Sequence, residues 1–544
     1  MPEPPQQPKA DSINRGTAAI LLSQVVALVL TWAAHLLVAH HPLVKAHSGS
    51  YAAYTVLLGL VLMFAHLIHY GLPSAVGKWV AEDREYAGYF LSRGWILQGY
   101  FIAALVALAL AIGPVVVLGV IKDPSWWPAY LAVICSIPAY AYFNQRTSVM
   151  GGLRLFTTES KIYAAYAMVR FLGIVAALAV LGEGVAPGPG SGARLRWMLT
   201  AALFANTLAA VVGFVLARQA TRFQLGYRED PDMAGQIIRF VLPNIGIIAM
   251  LQLLMRYDHW AVVAFSSDPA KLAVWGLGWL APATPNPQWG DYYAGGNNLA
   301  NLFFTLGASM YATTYPTIAA LKSQGDDAGA RAIMVNSMRA LAVVGAPMVA
   351  LTAAATEEAM AFLYPAEYAA MGNALPILVA ATVLQTVYMN LIVAVVAGGG
   401  QPHVVRNLRG MLVPGILYNV AFAWLLNRTG TPGSGMLAAA LAAFCTALHG
   451  SWGLGMVAAR QFGALMDFGV LAKALAASLP AYLALRLLPH HGLWLPVAVV
   501  LSLVPYALAI MAWRVFTEEE VDRLTRKLRR LRSKFGRSPE PAGP

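Results

Sequence analysis

Ionisable side chains are rare in the long apolar stretches of this sequence, and the few that occur there mark where its chemistry must lie. Arg170 stands about nine residues into one stretch, or roughly 14 Å deep at 1.5 Å of rise per residue. Arg256, Asp258 and His259 cluster in another, His35 reaches a similar depth in the first, and His66 and His69 lie three residues apart on one helical face. A charge at the bilayer centre costs about 2.5–3.5 kcal/mol on insertion scales, so one that persists faces protein or water. Arg170 and Arg256 are therefore candidate anion-binding groups, with His35, His66 and His69 as polar lining of the same cavity. Asp258 is the candidate for coupling to an ion. Each has a plainer alternative. Arg170 can serve a buried pair or a packing contact. Arg256, roughly 26–30 Å from the start of its stretch, can reach to headgroups at a rim. Arg256 and Asp258 are two residues apart, point in different directions, and do not form a good pair along one helix face.

The same residues exclude other chemistries. No Cys, Asp or Glu near His66 and His69 completes a metal site. The loops are short and carry no Asp-rich or Gly-rich phosphate motif, so no catalytic residues, metal or cofactor are expected, and the chain does not read as an enzyme. Cys135 and Cys445 fall inside apolar runs and read as small hydrophobes. A carrier of cationic compounds would offer carboxylates to them. Arginine instead presents a planar fork that matches phosphate oxygens, so this acid-poor interior points to an anionic, phosphate-bearing substrate.

The elements that position these residues are membrane spans. Of 544 residues, 58% are hydrophobic and 11% charged, against roughly 25% charged in soluble domains. Apolar runs recur near residues 15–39, 50–72, 94–120, 129–150, 162–181 and 197–217, then 237–265, 297–319, 331–354, 372–397, 411–426 and 436–458, and finally 468–488 and 493–515. Each is long enough to cross roughly 30 Å of hydrocarbon. The fold class is thus an all-α polytopic membrane protein of about 14 transmembrane helices, its first span too long for a signal-peptide core. Roughly 28 of the 37 Lys and Arg fall on the side shared by the two termini, which puts both termini in the cytoplasm. The formal charge of +12 is mostly this topology signal, and a nucleic-acid partner is not expected.

Two sets of six spans repeat. Arg15 opens the first span and Arg239 the seventh, and at the same offset His35 falls opposite His259. YGLPSAVGKWVAE closes the second span and YPTIAALKSQGD the eighth; MLTAALFA opens the sixth and MLAAALAA the twelfth, and both end in ARQ. Tandem halves of one orientation imply two six-helix lobes related by a pseudo-twofold axis, enclosing a central cavity, with two peripheral C-terminal helices. The organisation expected is a cytoplasmic tail over residues 1–14, an N-lobe over 15–217, a linker over 218–236, a C-lobe over 237–459, helices 13 and 14 over 460–515, and a tail over 516–544.

GLPSAVGKWVAE after the second span, MGGLRLFTTESKIY between the fourth and fifth, and FVLPNIGIIAMLQLLMRYDHWAVVAF in the seventh carry a family likeness. With Pro243 early and Asp258 late in the seventh span, the chain resembles the multidrug/oligosaccharidyl-lipid/polysaccharide exporter superfamily, and within it the polysaccharide (O-antigen-type) flippases. The resemblance implies outward movement of a polyprenyl-pyrophosphate-linked oligosaccharide by alternating access, in the inner membrane of a bacterium, alongside polysaccharide assembly proteins. Lipid II flippases and ion-coupled small-molecule antiporters share the architecture and stand as alternatives. Residues 281–293 look inserted before the eighth span, and their Trp289, Tyr292 and Tyr293 read as interface anchors, with sugar stacking as the sharper alternative. The tail opens with a capping box, Thr517 and Glu520, and continues with Val521, Leu524, Leu528, Leu531 and Phe535 at helical spacing among Arg and Lys. Such a helix is expected to lie on anionic lipid headgroups.

Overall fold

The computed structural model describes residues 13–83, 85–92, 94–184, 188, 190–221, 232–265, 278–280, 286–429, 431, 433–463 and 468–515. The tail over 516–544 and most of the 218–236 linker lie outside them. Fourteen long helices are present among the described residues. The N-lobe comprises α1 (Ile13–His40), α2 (Ser50–Tyr70, continuing past Gly71 as Leu72–Glu82), α3 (Gly94–Pro114, passing into a π-helical turn), α4 (Trp127–Gly152), α5 (Phe156–Gly182) and α6 (Gly192–Ala220). The C-lobe comprises α7 (Met233–Leu254, then Tyr257–Phe265), α8 (Gln288–Ser323), α9 (Asp327–Ala354), α10 (Ala374–Ala397), α11 (Gln401–Asn427) and α12 (Ser434–Phe462), and α13 (Phe468–Leu487) and α14 (Trp494–Ala512) follow.

Twelve of these are long and apolar enough to cross a membrane. The other two, α4 and α8, have 26 and 36 residues and the length to do so, but a more polar composition. Arg170, Asn206 and Asn390, polar at depth, are buried in protein, as a lipid-exposed donor would have no partner.

Close helix contact within each lobe depends on small residues. A Cβ on Gly173 of α5 would come within 2.8 Å of the Ala205 side chain of α6, so these helices meet nearly backbone to backbone. The α2 break at Gly71 follows from its sequence. A Cβ there would meet the Phe101 ring at 2.7 Å, and Pro73 two residues on has no N–H to continue the helix ladder. Helices α13 and α14 pack on α9, where Ala474, Ala477, Ala481 and Tyr506 bury against Ala346 and its neighbours, and the Tyr506 hydroxyl donates to the Val343 carbonyl. Their other faces expose Leu475, Leu479, Leu483, Val500 and Leu508, as a lipid-facing pair would.

Candidate functional site

A cavity of about 380 Å³ lies between the lobes. Helix α1 contributes Leu28, Thr31, Trp32 and His35, and α2 contributes Thr55, Gly59, Leu62, His66 and Tyr70 at successive turns. Across from them stand Gln252, Arg256, His259 and Trp260 of α7, Asn297, Asn298, Asn301 and Thr305 of α8, and Met389 of α10. No Asp or Glu is among the described lining residues.

The break in α7 orients its charges. Leu254 ends one helix and Tyr257 starts the next, and the Arg256 N–H turns back to the Leu253 carbonyl, a three-residue rather than four-residue step. Arg256 thereby faces the cavity, while Asp258 turns into the C-lobe. The guanidinium lies on the bare backbone of Gly59, so close that a Cβ there would come within 3.0 Å of Nη1. Gly59 is nine residues, or about 14 Å, along α2 from its first residue. Arg256 is therefore seated in the interior and not reaching from a rim. Its Nε–H is buried with no hydrogen-bond partner, and no carboxylate lies within ion-pair distance of it among the described residues.

The other sequence candidates separate. His35 and His66 line the cavity, and His69 does not: its Nδ1 lies 3.2 Å from Asn144 Oδ1, behind the wall. Arg170 is 7% exposed and also stands one layer back. Its Nη1 reaches Thr31 Oγ1 at 3.4 Å, from behind the cavity wall that Thr31 forms. Asp258 is 3% exposed and accepts a hydrogen bond of 2.6 Å from the Tyr293 hydroxyl, inside the C-lobe. The expected interface anchors are corrected most plainly. Helix α8 begins at Gln288, nine residues before the expected span, so Trp289, Tyr292 and Tyr293 sit in its first two turns and are 4%, 7% and 0% exposed. They pack inside the protein against three different elements: Trp289 lies against Gly435 of α12, Tyr293 against Asp258 and His259 of α7, and Tyr292 under the connector Ala366–Met371, its ring 5.1 Å from Tyr368. Burial, followed by the Asp291 carboxylate, holds the Tyr368 hydroxyl well above the ordinary phenol value, so the ring stays neutral.

Cross-lobe contacts bound the cavity on both faces. On the face opposite the N-terminus, the Asp291 carboxylate of α8 accepts from the backbone N–H of Gly49 at 2.7 Å and of Ala52 at 2.6 Å. It caps the first turn of α2, whose own N-cap, Gly49, has no side chain to do so. Below it, Asn298 donates to the Tyr51 hydroxyl at 2.9 Å and lies 3.2 Å from His35 Nδ1. His259 Nε2 lies 3.3 Å from Thr55 Oγ1, so the repeat-related histidines each reach into the other lobe. Lys122 at the end of α3 donates to the Ala264 carbonyl of α7. On the N-terminal face the closure is aromatic: Trp79 meets Phe240 edge to face at 5.6 Å, with Lys78 Nζ 4.9 Å above the Phe240 ring.

Reading only ionisable residues missed Gln252, Asn297, Asn301, Trp32 and Trp260, which form much of the wall. GGNNLAN is the signal that marks the two asparagines: amides four residues apart in a span stay on one face.

No family model matches the chain, and no curated protein sequence matches it. Solved structures do. The lipid II flippase MurJ in an inward closed conformation superposes with a TM-score of 0.66 at 10% identity, covering 92% of this chain and 99% of that one. A eukaryotic MATE transporter, AtDTX14, gives 0.55 at 13% identity over 86% and 98%. A transporter from Pyrococcus furiosus, described with a binding pocket of reverse polarity, gives 0.55 at 13% identity over 82% and 96%. The fold is the one that these flippase and transporter structures share. With twelve helices long and apolar enough to cross a membrane among the described residues, this chain is a multi-pass membrane protein.

Proposed function

We propose that this chain carries a lipid-linked oligosaccharide, joined to its polyprenyl chain by a pyrophosphate, from the cytoplasmic to the outer leaflet by alternating access. One observation carries the reading: Arg256 lines a cavity in which no described residue is a carboxylate, and has no ion-pair partner among the described residues. A guanidinium so placed suits phosphate oxygens, whereas a cationic drug would find no counter-charge. The likeness in fold to a lipid II flippase supports translocation of a lipid-borne substrate, and the likeness to MATE transporters keeps small-molecule antiport as the rival. Arg170 adds positive potential from behind Thr31, and Asp258 serves as the carboxylate for a coupling cation. Both termini lie in the cytoplasm of a bacterial cell, the tail rests on anionic headgroups, and polysaccharide assembly proteins are the neighbours. In that orientation the face closed by Asp291 is the outer one.

Farnesyl pyrophosphate titrated into the purified full chain tests this. A lost charge-assisted hydrogen bond is worth about 1.5–3 kcal/mol, or roughly 10- to 150-fold in affinity. Arg256→Ala should lose that much, and Arg256→Lys should recover only part because it keeps the charge without the fork. Equal affinity of wild type and Arg256→Ala would overturn the reading.

A further inference from the structure

Most polar side chains of the cavity roof are satisfied across the lobes, but those of the C-lobe wall are not. Gln252 is 7% exposed, faces the cavity and has no hydrogen-bond partner among the described residues. Asn297 and Asn301 also line the cavity with their side-chain amides unpaired among those residues. They stand four residues apart, about 6 Å along one face of α8. On the N-lobe side the Trp32 indole N–H is buried at the cavity and lacks a partner. Trp32 Nε1 is the fully buried one of these groups; the amides of Gln252, Asn297 and Asn301 face the cavity space and offer their donors and acceptors to whatever fills it.

An amide both donates and accepts, as a sugar hydroxyl or an acetamido group does, and it carries no charge. A phosphate only accepts and would leave the amide oxygens unmet. From Arg256 the stripe continues one turn back to Gln252, and Asn297 and Asn301 stand on the neighbouring helix. We propose that Gln252, Asn297, Asn301 and Trp32 form a sugar-reading subsite distinct from Arg256, and that it takes an uncharged hexose or N-acetylhexosamine joined to the pyrophosphate. This rests on the pyrophosphate reading of Arg256. An acidic sugar would be excluded, as no second cation lines the wall among the described residues. A site built to hydrogen-bond hydroxyls also discriminates strongly against a ligand that lacks them.

The test compares farnesyl pyrophosphate with the same lipid bearing one N-acetylglucosamine on its pyrophosphate, by calorimetry on the purified full chain. Wild type should bind the glycosylated lipid at least 10-fold tighter. Asn297→Ala with Asn301→Ala should remove that preference while changing affinity for the bare lipid less than 2-fold. Trp32→Phe keeps the ring and loses only the N–H, and should weaken the glycosylated lipid alone; it serves if the double variant does not fold. Replacing the sugar by glucuronic acid should return affinity to that of the bare lipid or below. Equal affinity of wild type for the two lipids overturns the subsite, as does an Asn297→Ala, Asn301→Ala variant that weakens both alike or neither. Loss of bare-lipid binding in Arg256→Ala alongside such a result would leave the pyrophosphate reading standing, so the two failures are distinguishable.

Discussion

At the scale of single residues, Gly59 is the least conspicuous member of the site and one of the most constrained. Its missing side chain is the seat of the Arg256 guanidinium. Gly59→Ala should raise helix stability by about 0.5–1 kcal/mol, the usual gain for this change in a helix interior, yet weaken pyrophosphate binding by displacing Nη1. Gly59→Val should weaken it further. Opposite movement of melting temperature and farnesyl pyrophosphate affinity is the signature; parallel movement would mean that Gly59 only packs. Arg170 makes a different prediction. Because it lies behind Thr31, Arg170→Ala should cost less affinity than Arg256→Ala and more stability, since it leaves a void among buried groups of the N-lobe. Calorimetry and thermal unfolding of the two variants side by side measure that split.

At the scale of elements, two departures from plain helix geometry build the site. The α7 break sends Arg256 and Asp258 to different compartments, one to the cavity and one to Tyr293. The early start of α8 places Asp291 where it caps α2 across the lobes. The cap ties the lobes only while their opposite faces are together, so it belongs to one conformational state. Losing a cap costs about 0.5–2 kcal/mol, which shifts the balance between closed and open forms roughly 2- to 30-fold toward open. Asp291→Ala should therefore speed labelling of Thr305→Cys, inside the cavity, by a membrane-impermeant thiol reagent applied from that face. Labelling at the wild-type rate would mean that the cap does not hold the closure. The background must carry Cys135→Ala and Cys445→Ala, because both thiols are free.

At the scale of the whole molecule, the lobes meet by unequal means. Hydrogen bonds tie α2 to α7 and α8 on one face, and an aromatic edge with a cation above it closes the other. Contacts of this kind exchange between two packed arrangements without unfolding either lobe, which is what alternating access needs. The orientation proposed makes a direct prediction. In intact cells, Gly188→Cys and Thr429→Cys should react with an impermeant thiol reagent, and Gln324→Cys should react only after permeabilisation; the reverse pattern would invert the topology. Removing residues 523–537 should leave the lobes folded and weaken binding to anionic vesicles in a salt-sensitive way, at about 1 kcal/mol per basic residue.

The number of helices, their grouping into two related lobes and a cavity between them are legible in the linear pattern of residues. Those follow from apolar run length and from a repeat that survives as matched positions such as His35 and His259, properties a linear pattern contains. It also singled out Arg256 and Asp258 as a pair that must diverge, since two residues on a helix cannot face one way. Which arginine the cavity holds is settled by packing, because depth along a helix says nothing about which neighbour fills the next layer. Arg170 and Arg256 differ in that Thr31 stands before one, whereas the other lies on Gly59 inside the cavity. Packing alone also shows that Trp289, Tyr292 and Tyr293 are interior. Whether an aromatic at a helix end meets lipid or protein depends on elements distant in the chain. For Tyr292 this is a connector more than 70 residues further along, and that contact is written in the packing of Tyr368, not in the local pattern.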